Sequence, residues 1–463
     1  MQNIIKRRSF LKYASSTLVA APFVFPGTTL AAVPKQRAAA PPSLTVNVKD
    51  YGAQGDGTTN DTKAIQRAID RVSVFGGGSV HVPAGDFLIG AIQLRSNVTL
   101  DLAEGACLKG TDQLTDYPVM QVRWEGKWID GHVGLLYAVD AQQVAIQGMG
   151  KIEGNSALGG RPSKENPLRR PALVEFINCS QISLSDFHAS YHRMWCVHPT
   201  NCTDIQIRNL TIRSTGGNGD GIDIDSCKRV NIDSCDIATG DDCIAIKSGR
   251  GMEAYTLMNT TEDIQIKGCT FADSIFACIG IGSETSGGIR NVSITNCRFT
   301  HAKTYAIYIK SRPGRGAFIE NIRASDLLVE STGEGFLRFN LLKSGIQDQN
   351  PVPGLEGIPK VSQIHFSNIQ VKDVPVLVEG TLIHPRKPLE EVTLAGIKGT
   401  CKKGIFLVNT QHITCRDIQV QVAEGALFNT YQVSGTGLDR AKPIEGPLLE
   451  DDIPENNTPY KLG

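Results

Sequence analysis

The chain has 463 residues, 41% hydrophobic and 20% charged, the make-up of a globular protein with apolar mass for one large or two medium domains. This composition excludes a disordered, collagen-like or multi-pass membrane chain. Lys plus Arg (47) balance Asp plus Glu (47), so no overall field favours nucleic acid, and no such partner is expected.

Residues 1–32, "MQNIIKRRSFLKYASSTLVAAPFVFPGTTLAA", combine a basic start, a modest apolar stretch and small residues at Ala31 and Ala32. This is the layout of a cleaved export signal, and Arg7-Arg8 followed by "SFLK" resembles its twin-arginine form. Pro22 and Pro26 interrupt the apolar run, which argues against a membrane anchor. The expected location is therefore the periplasm or exterior of a bacterial cell, with no membrane association once the signal is removed. The twelve cysteines lack zinc-ligand spacing, and a core of this size does not depend on disulfides, so most are expected free and buried.

From about residue 140 short alternating runs recur, among them "NCSQISLSDF", "NCTDIQIRNLTI", "SCKRVNIDSCDI", "IRNVSITNCRF" and "VSQIHFSNIQV". Their spacing of roughly 20 to 35 residues is that of a solenoid whose units bury their apolar sides on one another. Each run has period two and is rich in Ile and Val, which excludes helical repeats. The expected fold is all-β, a parallel β-helix over residues 45–430, with a C-terminal tail at 431–463. Cys179, Cys202 and Cys227 follow Asn or Ser at strand starts and are expected to stack at one corner.

Four further strands align without gaps: "NGDGIDIDS" (218–226), "GDDCIAIKS" (240–248), "FACIGIGS" (276–283) and "YAIYIKS" (305–311). In this register Ile222, Ile244, Ile279 and Ile307 form one inward column, and Ile224, Ile246, Ile281 and Ile309 another. Asp220 then falls beside Asp242 at the strand spacing of about 4.8 Å, with Asp241 one residue upstream. An isolated Asp-Asp pair is an ordinary polar turn as readily as an acid–base device, but three carboxylates meeting beside Gly280 and Gly282 point to catalysis in a groove. The spacing alone does not say which carboxyl carries the proton.

These motifs resemble glycoside hydrolase family 28, the polygalacturonase-like enzymes of pectin breakdown. "NGDG" (218–221) is similar to the family's Asn-Thr-Asp motif, "GDDC" (240–243) to its Asp-Asp motif and "IYIKSRPGRG" (307–316) to its Arg-Ile-Lys region. The segments 51–69 and 76–100 resemble its amino-terminal coils. The resemblance implies a right-handed, single-stranded parallel β-helix capped by an amphipathic helix from Asn60 to Val72. It also implies hydrolysis with inversion by three aspartates and no metal or other cofactor. Asp241 would protonate the leaving oxygen, while Asp220 and Asp242 activate water; a water between acid and base calls for a separation of about 6.5–9.5 Å.

Two positions depart from the pattern. Phe276 stands where the family's histidine is expected, and Tyr308 replaces the arginine of Arg-Ile-Lys, whose bidentate carboxylate contact tyrosine cannot reproduce. A rhamnogalacturonan or a substituted pectin therefore joins homogalacturonan as a candidate substrate. Asn218, Lys310, Tyr308 and Arg338 are the expected substrate-binding residues: Lys310 and Arg338 for an acidic sugar, Tyr308 with Phe276 for a less polar neighbour. Trp195, His192 and His198 are read as packing residues, and a monomer is expected. Two alternatives compete: a calcium-dependent pectate lyase on the same architecture, and a non-catalytic glycan-binding β-helix.

Overall fold

The computed structural model describes residues 43–190 and 193–449. The export signal, His192 and the tail from residue 450 lie outside the described residues. Short strands are wound into a continuous 31-stranded sheet in which the neighbours from successive turns run parallel. Each turn contributes three strands. One face is built from Val174–Ile177, Val197–Thr200, Ile222–Asp225, Ile244–Lys247, Ile279–Ile281, Tyr305–Lys310 and Gly335–Asn340, each on the next. Among the described residues, no helix is long and apolar enough to cross a membrane.

The inward columns follow the alternation of the sequence. Ile222 pairs with Ile244, Ile244 with Ile279 and Ile279 with Ile307. One coil further on, Ile307 meets Leu337 and Ile309 meets Phe339. All of these side chains are buried, so each isoleucine contributes on the order of 2 kcal/mol of transfer free energy and fixes the coil above it. A slip of one residue would turn the columns outward, which is why the register is so strongly specified.

The corners need backbone that most residues avoid. Asn178, Asn201 and Ser226 take φ of 54°, 53° and 58° immediately before Cys179, Cys202 and Cys227, and asparagine tolerates this left-handed region better than bulkier residues. The Asn201 amide donates to Asn178 Oδ1 at 3.3 Å, turning the corner into a polar ladder outside and a thiol stack inside. All twelve cysteines are free and buried.

The capping helix spans Thr62–Phe75 and buries Ile65, Ala68, Ile69 and Val72. It starts later than Asn60 because the Asp61 carboxylate turns back to accept the Gln54 and Gly55 amides at 2.7 and 2.9 Å. It ends at Gly76, with φ of 112°. At the other end pairing continues past residue 430: the last long strand runs to Thr436, and Lys442–Pro443 pairs with Asn429 and Thr430. The solenoid thus extends beyond the expected start of the tail, since "YQVSGT" still alternates.

One element departs from the winding. Val119–Trp124 and Lys127–His132 form an antiparallel hairpin that folds over the face carrying Asp220 and Asp242. Its anchor is a buried ion pair, with Arg169 donating to both Glu175 oxygens at 2.6 and 2.8 Å and to the carbonyls of Arg123 and His132 at 2.9 and 3.0 Å. The hairpin, the segment around Arg161 and the segment Gly345–Ile346 wall in the site.

Candidate active site

Asp220, Asp241 and Asp242 come together as the alignment of strands requires. One carboxylate oxygen from each lies within 4.8 Å of the others. They sit in a cleft of about 190 Å³ that is also lined by Asn218, Lys247, Gly282, Glu284, Lys310 and Arg315, small beside the ~300–1,000 Å³ of ordinary ligand pockets. A larger groove of about 580 Å³ lies on the adjacent face. Its only acid is Asp273, held by His301 at 2.6 Å, so it gathers no cluster of carboxyls.

The trio is not at an exposed edge. Asp220 and Asp242 are 3% and 2% exposed, because the hairpin and the cleft walls cover the strand ends; Asp241 is the least buried of the three. Lys310 Nζ pairs with Asp242 Oδ2 at 2.7 Å. Lys247 pairs with Asp223 and lies 3.8 Å from Asp220 Oδ2. Asp242 leans over Gly280, where a Cβ would come within 2.3 Å of its Oδ2, so only glycine leaves room there for the carboxylate.

Burial and the charges of Asp223 and Asp241 push the Asp220 carboxyl well above the usual range. Burial, then Asp241, raises Asp242 against the pull of Lys310. Burial raises Asp223 to about 7 in spite of Lys247. Groups this close titrate as a unit, so the cluster retains protons at a pH where isolated aspartates have lost them.

Asp223 and Asp225, which the register points away from the core, are buried as well. Asp225 accepts from Arg123 of the hairpin at 2.8 Å and from the Gly249 amide at 3.1 Å. Trp195 packs under the site, stacked 5.5 Å from Trp124, with Lys247 Nζ 4.3 Å from its ring centre. These contacts make Trp195 a floor for Lys247.

The four expected binding residues divide. Lys310 and Asn218 line the cleft, but Lys310 is committed to Asp242, and the Asn218 carbonyl accepts from Arg161 Nε at 2.7 Å. Tyr308 is 6% exposed, its hydroxyl accepts from Asn340 at 3.1 Å, and its ring stacks on Phe276 at 5.7 Å. Lys310 Nζ lies 4.5 Å from the Phe276 ring centre, so this aromatic pair supports the lysine from behind. Arg338 pairs with Tyr308 in register but lies outside the cleft-lining set, its guanidinium over Tyr305 and Tyr308 and bonded to Glu334 at 3.2 Å.

Glu125, Arg161, Arg250, Glu284 and Arg315 also line the cleft and were missed from sequence. Arg315 and Glu284 stand just past aligned strands, in "SRPGRG" and "IGSE", and a charged residue following a groove strand was the available signal. Arg161 and Glu125 come from irregular insertions whose placement no periodicity encodes.

A walled cleft above parallel coils, with clustered carboxyls on its floor and lysines between them, defines a β-helix with an acidic site. The sequence profile of glycosyl hydrolases family 28 matches residues 76–336, more than half of the chain, and the chain belongs to that family. A probable polygalacturonase of Vitis vinifera is 32% identical over 286 residues, covering 59% of this chain and 58% of its own length. The exo-poly-alpha-D-galacturonosidase of Dickeya chrysanthemi is 28% identical over 349 residues, covering 62% and 54%. The chain thus spans little more than half the length of these two relatives. Among solved structures, an exopolygalacturonase of Thermotoga maritima superposes with a TM-score of 0.68 at 27% identity, over 82% of this chain and 92% of its own. The polygalacturonase of Erwinia carotovora shares the fold, with a TM-score of 0.59 at 20% identity, covering 88% of this chain and 97% of its own. The fold is a right-handed parallel β-helix.

Proposed function

We propose that this protein is an exported hydrolase that cleaves a glycosidic bond of a pectic galacturonan with inversion, using Asp220, Asp241 and Asp242. The observation that carries the reading is the convergence of the three carboxyls, within 4.8 Å, on the floor of a cleft. Asp241, the least buried, faces the leaving oxygen and delivers the proton. Asp242, held by Lys310, and Asp220, near Lys247, orient the attacking water, and the ionised member of this coupled pair accepts its proton. Their nearest oxygens are closer than the roughly 6.5–9.5 Å usual for two carboxyls facing each other across the bond. Inversion rests on family membership and is tested through the product.

The calcium-dependent lyase draws on the same trio, whose oxygens are close enough together to share a cation. Against it, Lys310 and Lys247 already supply the countercharge to Asp242 and Asp220, and calcium ordinarily takes six to eight oxygen ligands. A pure binding module has no use for a convergent acid trio in which burial and neighbouring charges raise Asp220 and Asp242.

The test is a panel of polygalacturonate, rhamnogalacturonan and methyl-esterified pectin, read by reducing ends and ultraviolet absorbance with and without chelator. Polygalacturonate is expected to be the best substrate, because Phe276 and Tyr308 stack on each other outside the cleft lining and offer it no apolar wall for a rhamnose. Reducing ends should rise without absorbance and without chelator sensitivity. Preference for rhamnogalacturonan would restore the substituted-pectin expectation, and an absorbing product would establish the lyase.

A further inference from the structure

Five cations line the cleft: Arg161, Lys247, Arg250, Lys310 and Arg315. Three are spent on acids. Lys247 is held by Asp223, Lys310 by Asp242, and Arg250 by Asp348 at 3.1 Å and Glu125 at 3.6 Å. Among the described residues the other two donate hydrogen bonds only to neutral oxygens, with the buried Glu284 as the main opposite charge acting on Arg315 and Glu125 interacting with Arg161. Arg161 donates to the Asn218 side chain. Arg315 donates Nε to the Ser283 carbonyl at 3.0 Å and Nη2 to the Ile346 carbonyl.

Arg315 is the more telling. It is 1% exposed and its Nη1 has no partner. Glu284 offsets part of the charge, but a buried N–H without an acceptor is costly to keep, so a further acceptor such as a carboxylate oxygen is its natural complement. It lines the cleft beside Gly282 and Gly345, where side chains are smallest. A Cβ on Gly345 would come within 3.3 Å of Arg315 Nη2. Arg161 bonds to Asn218, two residues before Asp220 in the chain. Neither guanidinium is hydrogen-bonded to an acid, and both line the cleft that holds the trio.

We infer that Arg315 and Arg161 bind the carboxylates of the two uronic acids on either side of the cleaved bond, taking over the task left vacant by Tyr308. Arg315 supplies the stronger contact because it is desolvated and rigid, and a guanidinium presents the fork that a carboxylate accepts in two parallel bonds. Arg161, exposed and attached to a neutral side chain, supplies the weaker one. This specificity assignment rests on the galacturonan reading.

The experiment compares wild type, Arg315→Gln, Arg315→Lys and Arg161→Gln on trigalacturonate and on its methyl ester. Arg315→Gln is expected to lower kcat/KM on the free acid by roughly 30-fold or more while the ester is little affected. Arg161→Gln should lower it by about 5-fold on the acid alone, and Arg315→Lys should recover part of the loss. An equal fall on acid and ester would mean that Arg315 merely holds the Ser283 and Ile346 segments in place, and overturns the assignment. If Arg315→Gln does not fold, an unchanged acid-to-ester ratio in Arg161→Gln overturns it as well. A wild type inactive on galacturonan defeats the functional reading first and this inference with it; an active wild type with insensitive variants defeats this inference alone.

Discussion

Asp241→Asn is expected to lower turnover on polygalacturonate by about four orders of magnitude, with the melting temperature within a few degrees of wild type. Asp241 is the least buried of the trio, so an isosteric amide there removes a transferable proton without emptying a packed site. The other two members separate function from stability in opposite directions. Asp242→Asn leaves the buried Lys310 ammonium without its 2.7 Å partner and should cost about 3 kcal/mol of stability as well as activity. Asp220 has an unpartnered buried oxygen and a carboxyl whose charged form the fold disfavours. Asp220→Asn should therefore be as inactive as Asp241→Asn and yet melt at or above the wild-type temperature, the usual exchange between an active site and stability. Near-normal turnover in any of the three would remove that residue from the mechanism.

The second large effect lies away from the reacting groups. Glu175→Gln is expected to destabilise the protein by about 3–5 kcal/mol, because it leaves Arg169 buried and without its countercharge. Glu175 also accepts from the Gly134 amide at 3.0 Å and contacts His198 at 3.5 Å, so one side chain fastens the hairpin to the coils. Burial pushes this carboxyl up, but Arg169 and His198 outweigh it and hold the pKa at about 2, below the unperturbed 4.5. A carboxylate with a depressed folded-state pKa stabilises the fold fully above its unfolded value and progressively less as pH falls toward the folded one. The gap in melting temperature between wild type and Glu175→Gln should accordingly be full above about pH 4.5 and narrow toward pH 2. A constant gap across that window would mean that Glu175 acts through shape and not charge. Because Arg123 reaches Asp225 from the same hairpin, turnover should fall too.

The coils were legible in the sequence because a stacked sheet repeats its constraint: apolar residues at period two, asparagine at the left-handed corners, cysteine inside them. The Ile222–Ile244–Ile279–Ile307 column and the meeting of Asp220 with Asp242 follow from that repetition alone. The environment of the trio was not legible. Whether Asp220 is exposed depends on a hairpin inserted far upstream, and the Arg123–Asp225 contact that seats it joins residues 102 positions apart. Arg161 reaches Asn218 across 57 positions, from a loop with no period. Tyr308 and Arg338 were placed in the correct register, but register gives the direction of a side chain and not what covers it. Stacking on Phe276 and pairing with Glu334 turn them into supports for Lys310 and the neighbouring coil.

The central claim, hydrolysis with inversion by the aspartate trio, is tested most directly by following the anomeric configuration of the first-formed product with proton NMR during digestion of oligogalacturonate. The account predicts a saturated galacturonate whose new reducing end appears first in the configuration opposite to that of the bond cleaved, then mutarotates. A first product of unchanged configuration, or an unsaturated sugar, would contradict it.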